Sequence, residues 1–594
     1  MYQSLLLRPR AYSVIDGLVL SFRCAPAAAF FFAFFDLASA IITPLATLAA
    51  ARFIDAAIRS YHVGAPVAEL GVWMGVLVGL TAFVWLRRAM HNFADLRLAI
   101  ALRERYRTAL TEKRTRLAYR HVEDADTWDL VQRVAANPEG GRLKESYFHL
   151  IDLASFVIKM GGLLAIVASA VWWGPIPVLL VSGVALVAGI RGGQRLYGAE
   201  REVSRYDRRT DYLSGLLFGR EAAAERSLFG FTSAAIAMWE NAFGRALSVR
   251  TRARIRWYLN AYTGNVANML VWLFLMIVLL QPLRDGILTV GLFIALTQAF
   301  TRFDIVWGFM DTVNGVAADV EFFRDLTRFL SLEEAPPPGS RTTNGSISVE
   351  VEDVRFAYPG TDRCVLDGLS FSLEAGRHYA LVGRNGCGKT TITRLLTGLY
   401  FPAAGSIRVG GTDVGEWSLE ELCSVFSIVY QDFARYGVTI EQNVFLGTDP
   451  GTRARDVYRE AGLDEIISRL PEGAATRLGK HVPGGIDLSG GEWQRIAIAR
   501  SLAHPGPVRI LDEPAASLDP LEESTLYRQF DRLAQGATVL LITHRLGATK
   551  AADCILVLDQ GRIVESGTHA QLIRADGLYR RMYDSQRIWY ETRS

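Results

Sequence analysis

Cysteine is scarce in this chain. There are five in 594 residues, at spacings that match no zinc site, which excludes a disulfide-stapled secreted fold. Charge is thin as well, at 21% of residues against about 25% in an average soluble chain. Half of the residues are hydrophobic, too many for a disordered chain. The formal net charge is only +3, so no strong excess of one sign marks the chain as a whole. A cleavable signal peptide is not expected. The first apolar run begins near Ala25, is too long for a signal-peptide core and lacks a small-residue cleavage site.

What is present is unevenly placed. Residues 1–340 carry 36 Lys+Arg and 29 Asp+Glu, a net of 36 − 29 = +7; residues 341–594 carry 28 and 32, a net of −4. The long apolar runs all fall in the first part, at about 25–50, 68–86, 150–173, 175–194, 257–281 and 286–310. Each is near the ~20 residues that cross ~30 Å of hydrocarbon. Residues 3–22 are amphipathic and suit an elbow helix (1–24) on the inner membrane face.

Residues 87–145 and 191–256 hold 13 Lys+Arg each, whereas the connections 51–67, 174 and 282–285 hold two, none and one. That asymmetry predicts both termini and both long loops in the cytoplasm. The long loops (87–149 and 195–256) are nearly free of proline and rich in Ala, Leu, Arg and Glu, which predicts helical arms. A transmembrane unit over 25–330 and a Pro-rich linker over 331–346 are therefore expected. Beyond them, over 347–594, β-branched strands alternate with helices, as in an α/β domain with a largely parallel sheet.

Residues 383–391 read GRNGCGKTT, after the apolar strand Tyr379–Val382 and before a helical stretch. This strand–loop–helix order is what a phosphate-binding loop requires. Backbone N–H groups of Gly383, Arg384, Asn385, Gly386, Cys387 and Gly388, at a helix N-terminus, supply an anion site. Lys389 reaches the β- and γ-phosphates, Thr390 offers a hydroxyl to Mg²⁺, and Thr391 follows. Downstream, the strand VRILDEP ends in Asp512 and Glu513, suited to Mg²⁺ organisation and to activation of water.

With LSGGE at Leu488–Glu492, the second part resembles ATP-binding cassette (ABC) ATPases over about 345–585, with the motifs in family order. The resemblance implies further roles. Tyr358 would stack on adenine. Gln431 would contact Mg²⁺ and the attacking water. Asp519, in SLD, would belong to the loop between paired cassettes, and His544 would contact the γ-phosphate. It also implies a head-to-tail dimer in which Ser489, Gly490 and Gly491 of one cassette close the ATP site of the other.

The first part resembles an ABC exporter half-transporter, with six spans and two long cytoplasmic loops. His121–Val134 resembles the first short helix that such loops rest on a cassette, and residues near 220–230 the second. The implied function is ATP-hydrolysis-driven export of a peptide, lipid or hydrophobic small molecule across the inner membrane, the alternative being an exporter-fold importer of siderophore-like cargo. The implied cofactors are ATP and Mg²⁺. The implied partners are a second half-transporter, membrane lipid and the cargo, with no nucleic acid. Both half-site motifs are intact, so two copies of this chain suffice, and a heterodimer stays open. Only about 24 residues precede the first span, so a leader-peptidase domain is not expected there.

Two further expectations concern single residues. Cys387, at a helix N-terminus beside Lys389, is expected to have a lowered pKa. Ionisable residues inside spans are substrate-pathway candidates: Asp36 foremost, then Lys159, Asp304 and Asp311.

Overall fold

The computed structural model of the protein describes residues 7–64, 66–135, 141–220, 222–301, 304–335, 345, 347–480, 483–514 and 536–591. The chain divides into two units. One comprises Met1–Arg116 and Ala125–Leu332, the other Leu117–Asp124 and Glu333–Ser594.

The first unit is helical. A short helix, Val14–Cys24, precedes Pro26–Val63, which starts on a proline suited to a first helical turn and ends on Gly64 at φ 68°. Val67–Thr115, Gly141–Ala170, Pro175–Phe218 and Thr232–Arg284 follow, with Ala125–Ala135 and Ala223–Phe229 as short helices between them. Val290–Thr301 and Asp304–Leu330 complete the unit. Among the described residues, Pro26–His62, Val67–Thr115 and Gly141–Ser169 are each long and apolar enough to cross a membrane. Val67–Thr115 has 49 residues, about 74 Å at 1.5 Å per residue, so it extends far beyond any ~30 Å hydrocarbon layer. No residue of its apolar window is fully buried, and so large an apolar surface suits lipid rather than water.

The helices are keyed together by small residues and by ion pairs, among them Arg87–Asp36, Arg133–Asp325 and Lys144–Asp95. A Cβ on Gly162 would lie 2.3 Å from Pro44 Cγ, and one on Gly315 would lie 2.3 Å from the His149 ring. Asp36 is buried; it accepts from Arg87 Nη1 at 2.7 Å and from the Ser155 hydroxyl. The carboxylate thus ties three helices together. Both of its oxygens are engaged by side chains of neighbouring helices. Lys159 is half-buried. The side chains of Asp304 and Asp311 lie outside the described set.

The described residues of the second unit form two sheets. Its strands are β1 Val349–Ala357, β2 Cys364–Leu373, β3 His378–Gly383, β4 Ala404–Val409, β5 Thr412–Asp413, β6 Phe426–Val429, β7 Val508–Asp512, β8 Thr538–Ile542, β9 Cys554–Asp559 and β10 Arg562–Gly567. The order β2-β1-β4-β5 is antiparallel. In β10-β9-β3-β8-β7-β6, every neighbouring pair is parallel except β10 with β9. The central strands are buried along nearly their whole length, as in Tyr379–Gly383, which is why they read as continuous apolar runs. Because β3, β8 and β7 are adjacent and parallel, their C-terminal ends fall together. That is the edge at which open α/β sheets bind ligands.

Candidate functional site

At that edge lies a cleft of about 930 Å³. The loop after β3 forms one wall and leads into the helix Lys389–Leu396. Two glycines show why the loop has its composition. Gly388 caps the helix at φ 111°, a conformation closed to other residues. A Cβ on Gly383 would lie 2.3 Å from the Leu558 carbonyl oxygen. Lys389 is buried, and its Nζ donates to the carbonyls of Gly383 at 2.9 Å and Arg384 at 3.3 Å. The ammonium is therefore already turned back over the loop that would wrap a phosphate.

β7 brings Asp512 and Glu513 to the same edge. Asp512 is 2% exposed, and its Oδ2 has no hydrogen-bond partner among the described residues. Burial and, next, the charge of Glu513 push its pKa up to about 6, against the pull of Lys389. Glu513 sits at φ 50°, a region that non-glycine residues seldom occupy. The main chain is held there by Glu513 N–H donating to the Ile542 carbonyl at 2.9 Å. Its carboxylate is gripped on both sides: Gln431 Nε2 donates to Oε2 at 2.9 Å, and His544 Nδ1 lies 3.1 Å from Oε1. Gln431 follows β6 and His544 follows β8, so three strand ends converge on one carboxylate.

Tyr358 closes the far end of the cleft. Its hydroxyl lies 3.0 Å from Thr391 Oγ1, and its ring is edge-on to Phe356 and Tyr400. Arg394 Nη1 donates to the Tyr358 hydroxyl at 3.4 Å and lies 3.3 Å from Glu123. Glu123 also accepts from the hydroxyls of Tyr119 and Tyr400. The peptide Leu117–Asp124, which carries part of the segment singled out as the first loop-tip helix, thus packs as part of the second unit. Its helical piece is Arg120–Glu123.

Of the residues read from the sequence, the cleft gathers Tyr358, Asn385, Gly386, Cys387, Gly388, Lys389, Thr390, Thr391, Gln431, Glu513 and His544. Ser489 and Gly490 are exposed and, like Gly491, are not among the described residues that line it. Ser489 instead caps the helix Gly490–Ala503, reciprocally with Glu492. Asp519 lies outside the described residues. The cleft also includes Thr361, Arg363, Cys364, Val365, Gln560 and Gly561, which sequence reasoning missed. The signal for the last two was a turn between β-branched runs at Asp559–Arg562. Cys387 departs from its expectation: the thiol is buried, and burial raises its pKa more than Lys389 lowers it.

The profile of the ABC transporter family matches residues 366–516. Over 241 residues, 40% of either chain, the sequence is 41% identical to the ATP-dependent lipid A-core flippase of Aromatoleum aromaticum. Over 309 residues it is 37% identical to the ATM1-type heavy metal exporter of Novosphingobium aromaticivorans, covering 51% of this chain and 50% of that one. The chain thus spans between two-fifths and one half of the length of these curated relatives. Its fold is similar to the structure of a bacterial Atm1-family ABC exporter with ATP bound, at a TM-score of 0.78 and 24% identity, over 95% of this chain and 98% of that one.

Proposed function

We propose that this chain, a member of the ABC transporter family, is one half of an ATP-driven exporter that works as a dimer in the cytoplasmic membrane. The observation that carries the reading is the Glu513 carboxylate held between Gln431 and His544 in the phosphate-loop cleft. The same chain carries long, lipid-suited helices.

In this reading Tyr358 stacks on adenine, while Lys389 and the backbone from Gly383 to Thr391 hold the phosphates. Glu513 accepts a proton from the attacking water, which Gln431 orients, and His544 donates to the γ-phosphate. The residues also fit a divalent cation. The Asp512 Oδ2 that lacks a partner, in a carboxylate that burial keeps from ionising freely, is the oxygen that such a cation would occupy. Thr390, Asp512 and Gln431 would hold Mg²⁺, which when bound neutralises charge on the phosphates. Ser489, Gly490 and Gly491, at a helix N-terminus, supply a second anion cradle to the partner's site. Two copies of this chain suffice. The Arg-rich arms put the cassettes and both termini on the cytoplasmic side.

The test uses proteoliposomes with cassettes outward, challenged in parallel with lipid, peptide and hydrophobic-drug probes. ATP should drive one class away from the cassette side. Glu513→Gln should lower hydrolysis about 10²- to 10⁴-fold while ATP binding persists. Transport by the E513Q variant at the wild-type rate would overturn the reading, as would ATP-driven movement toward the cassette side. The relatives matched here are named as flippase and exporter, which disfavours import.

A further inference from the structure

The C-terminal helix, Leu578–Glu591, takes no part in the chemistry above, yet one face of it is spent on the segment that carries His544. Tyr579, Tyr583 and Gln586 recur at steps of four and three, so they share that face. Tyr579 is fully buried, and its hydroxyl lies 2.8 Å from Thr549 Oγ1, which in turn donates to the Leu546 carbonyl at 2.9 Å. The Tyr583 ring lies 5.5 Å from Lys550 Nζ. Gln586 then makes two hydrogen bonds to the main chain on either side of Arg545. Its Oε1 accepts from the Leu546 N–H at 3.0 Å, and its Nε2 donates to the His544 carbonyl.

Spanning one carbonyl and one N–H in this way takes a side chain that is donor and acceptor at once, which a carboxamide is. The helix is itself anchored at its start. The N–H groups of Leu578 and Tyr579 donate to the two carboxylate oxygens of Glu565 on β10, and a Cβ on Gly577 would lie 2.2 Å from that carboxylate. The helix is therefore a strut fixed at β10 and ending on the backbone of His544.

We propose that Gln586 is a positioning residue for hydrolysis: its clamp on the His544 carbonyl and the Leu546 N–H sets where the imidazole stands relative to Glu513. The clamp acts through His544, and the inference rests on the reading of the site as an ATPase.

The test is steady-state ATPase of the full chain in lipid nanodiscs, for wild type, Gln586→Met and Gln586→Glu, between pH 6 and pH 8. Methionine keeps the shape and removes both hydrogen bonds. Glutamate keeps the acceptor; when protonated it regains a donor, and when ionised it sets charge against the His544 carbonyl. The Q586M variant should lose about tenfold in kcat, with KM for ATP within twofold and thermal stability near wild type. The Q586E variant, whose carboxylate is ionised across this range, should lose at least as much as Q586M, and the ratio of either variant to wild type should stay flat with pH. Each rate is read as a ratio to wild type at the same pH, because His544, His569 and Lys550 lie along the same contact. Wild-type kcat for both variants throughout would overturn the proposal, as would losses that appear only in KM or stability. A wild-type chain that hydrolyses no ATP would instead overturn the functional reading itself.

Discussion

At the scale of single residues, Cys387 illustrates how a local rule yields to burial. A thiol at a helix N-terminus beside an ammonium should ionise readily, but here the side chain is buried, and loss of water outweighs Lys389. Because the thiolate is the reactive form, a raised pKa means slow alkylation at neutral pH, with a rate that climbs about tenfold per pH unit until the pKa is passed. Timed N-ethylmaleimide labelling read by peptide mass spectrometry should therefore find Cys364, which is exposed, modified at pH 7 well before Cys387. Equal rates at pH 7 would contradict this. The residues legible in the sequence were those whose spacing is dictated by one local element: a loop between strand and helix, or a strand end bearing two carboxylates. Cys364 and Gln586 were not legible, because each approaches from a separate strand or helix, and nothing in their own neighbourhood records that approach.

At the scale of elements, hydropathy located apolar runs but not the contacts that register one helix against another. Pro44 and Gly162 make the point, because 118 positions separate a proline ring from the one residue that leaves room for it. Gly162→Ala would place a methyl group 2.3 Å from Pro44 Cγ and should destabilise the helical unit by about 1–3 kcal/mol. Thermal unfolding in detergent would register this as a lowered Tm. Gly161→Ala, where nothing lies within 4 Å of the added Cβ, is the matched control and should leave Tm near wild type. The loop-tip peptide offers a second case. Glu123 accepts from Tyr119 and Tyr400 and pairs with Arg394, which also reaches the Tyr358 hydroxyl. Glu123→Ala leaves those donors without their shared acceptor. Amide exchange in residues 117–124 should then quicken, and cargo should no longer stimulate ATPase, while basal hydrolysis stays within about twofold. Unchanged exchange would mean that Glu123 does not hold the peptide.

At the scale of the whole molecule, the uneven charge is a consequence of two unlike units in one chain. The net of +7 over residues 1–340 reflects cationic helical arms, and the −4 beyond reflects an α/β unit whose buried cleft concentrates Asp512 and Glu513. That cleft gathers the phosphate-loop residues but leaves Ser489 and Gly490 exposed outside it; in the proposed dimer these are two complementary half-sites. An isologous pairing about a two-fold axis would make both composite sites at once, which yields a prediction that no arrangement within one chain shares. Lys389→Ala and Ser489→Arg should each abolish hydrolysis when alone, since every composite site then contains a defect. When the two variants are co-expressed, a mixed dimer has one site with both defects and one with none. Random pairing makes half of the dimers mixed, so about a quarter of all sites are intact. ATPase should return to about that fraction of wild type, and tandem-affinity purification of mixed dimers should raise it to about one half. Sites completed within a single chain would give no recovery at any mixing ratio, because every chain in the mixture carries a lesion.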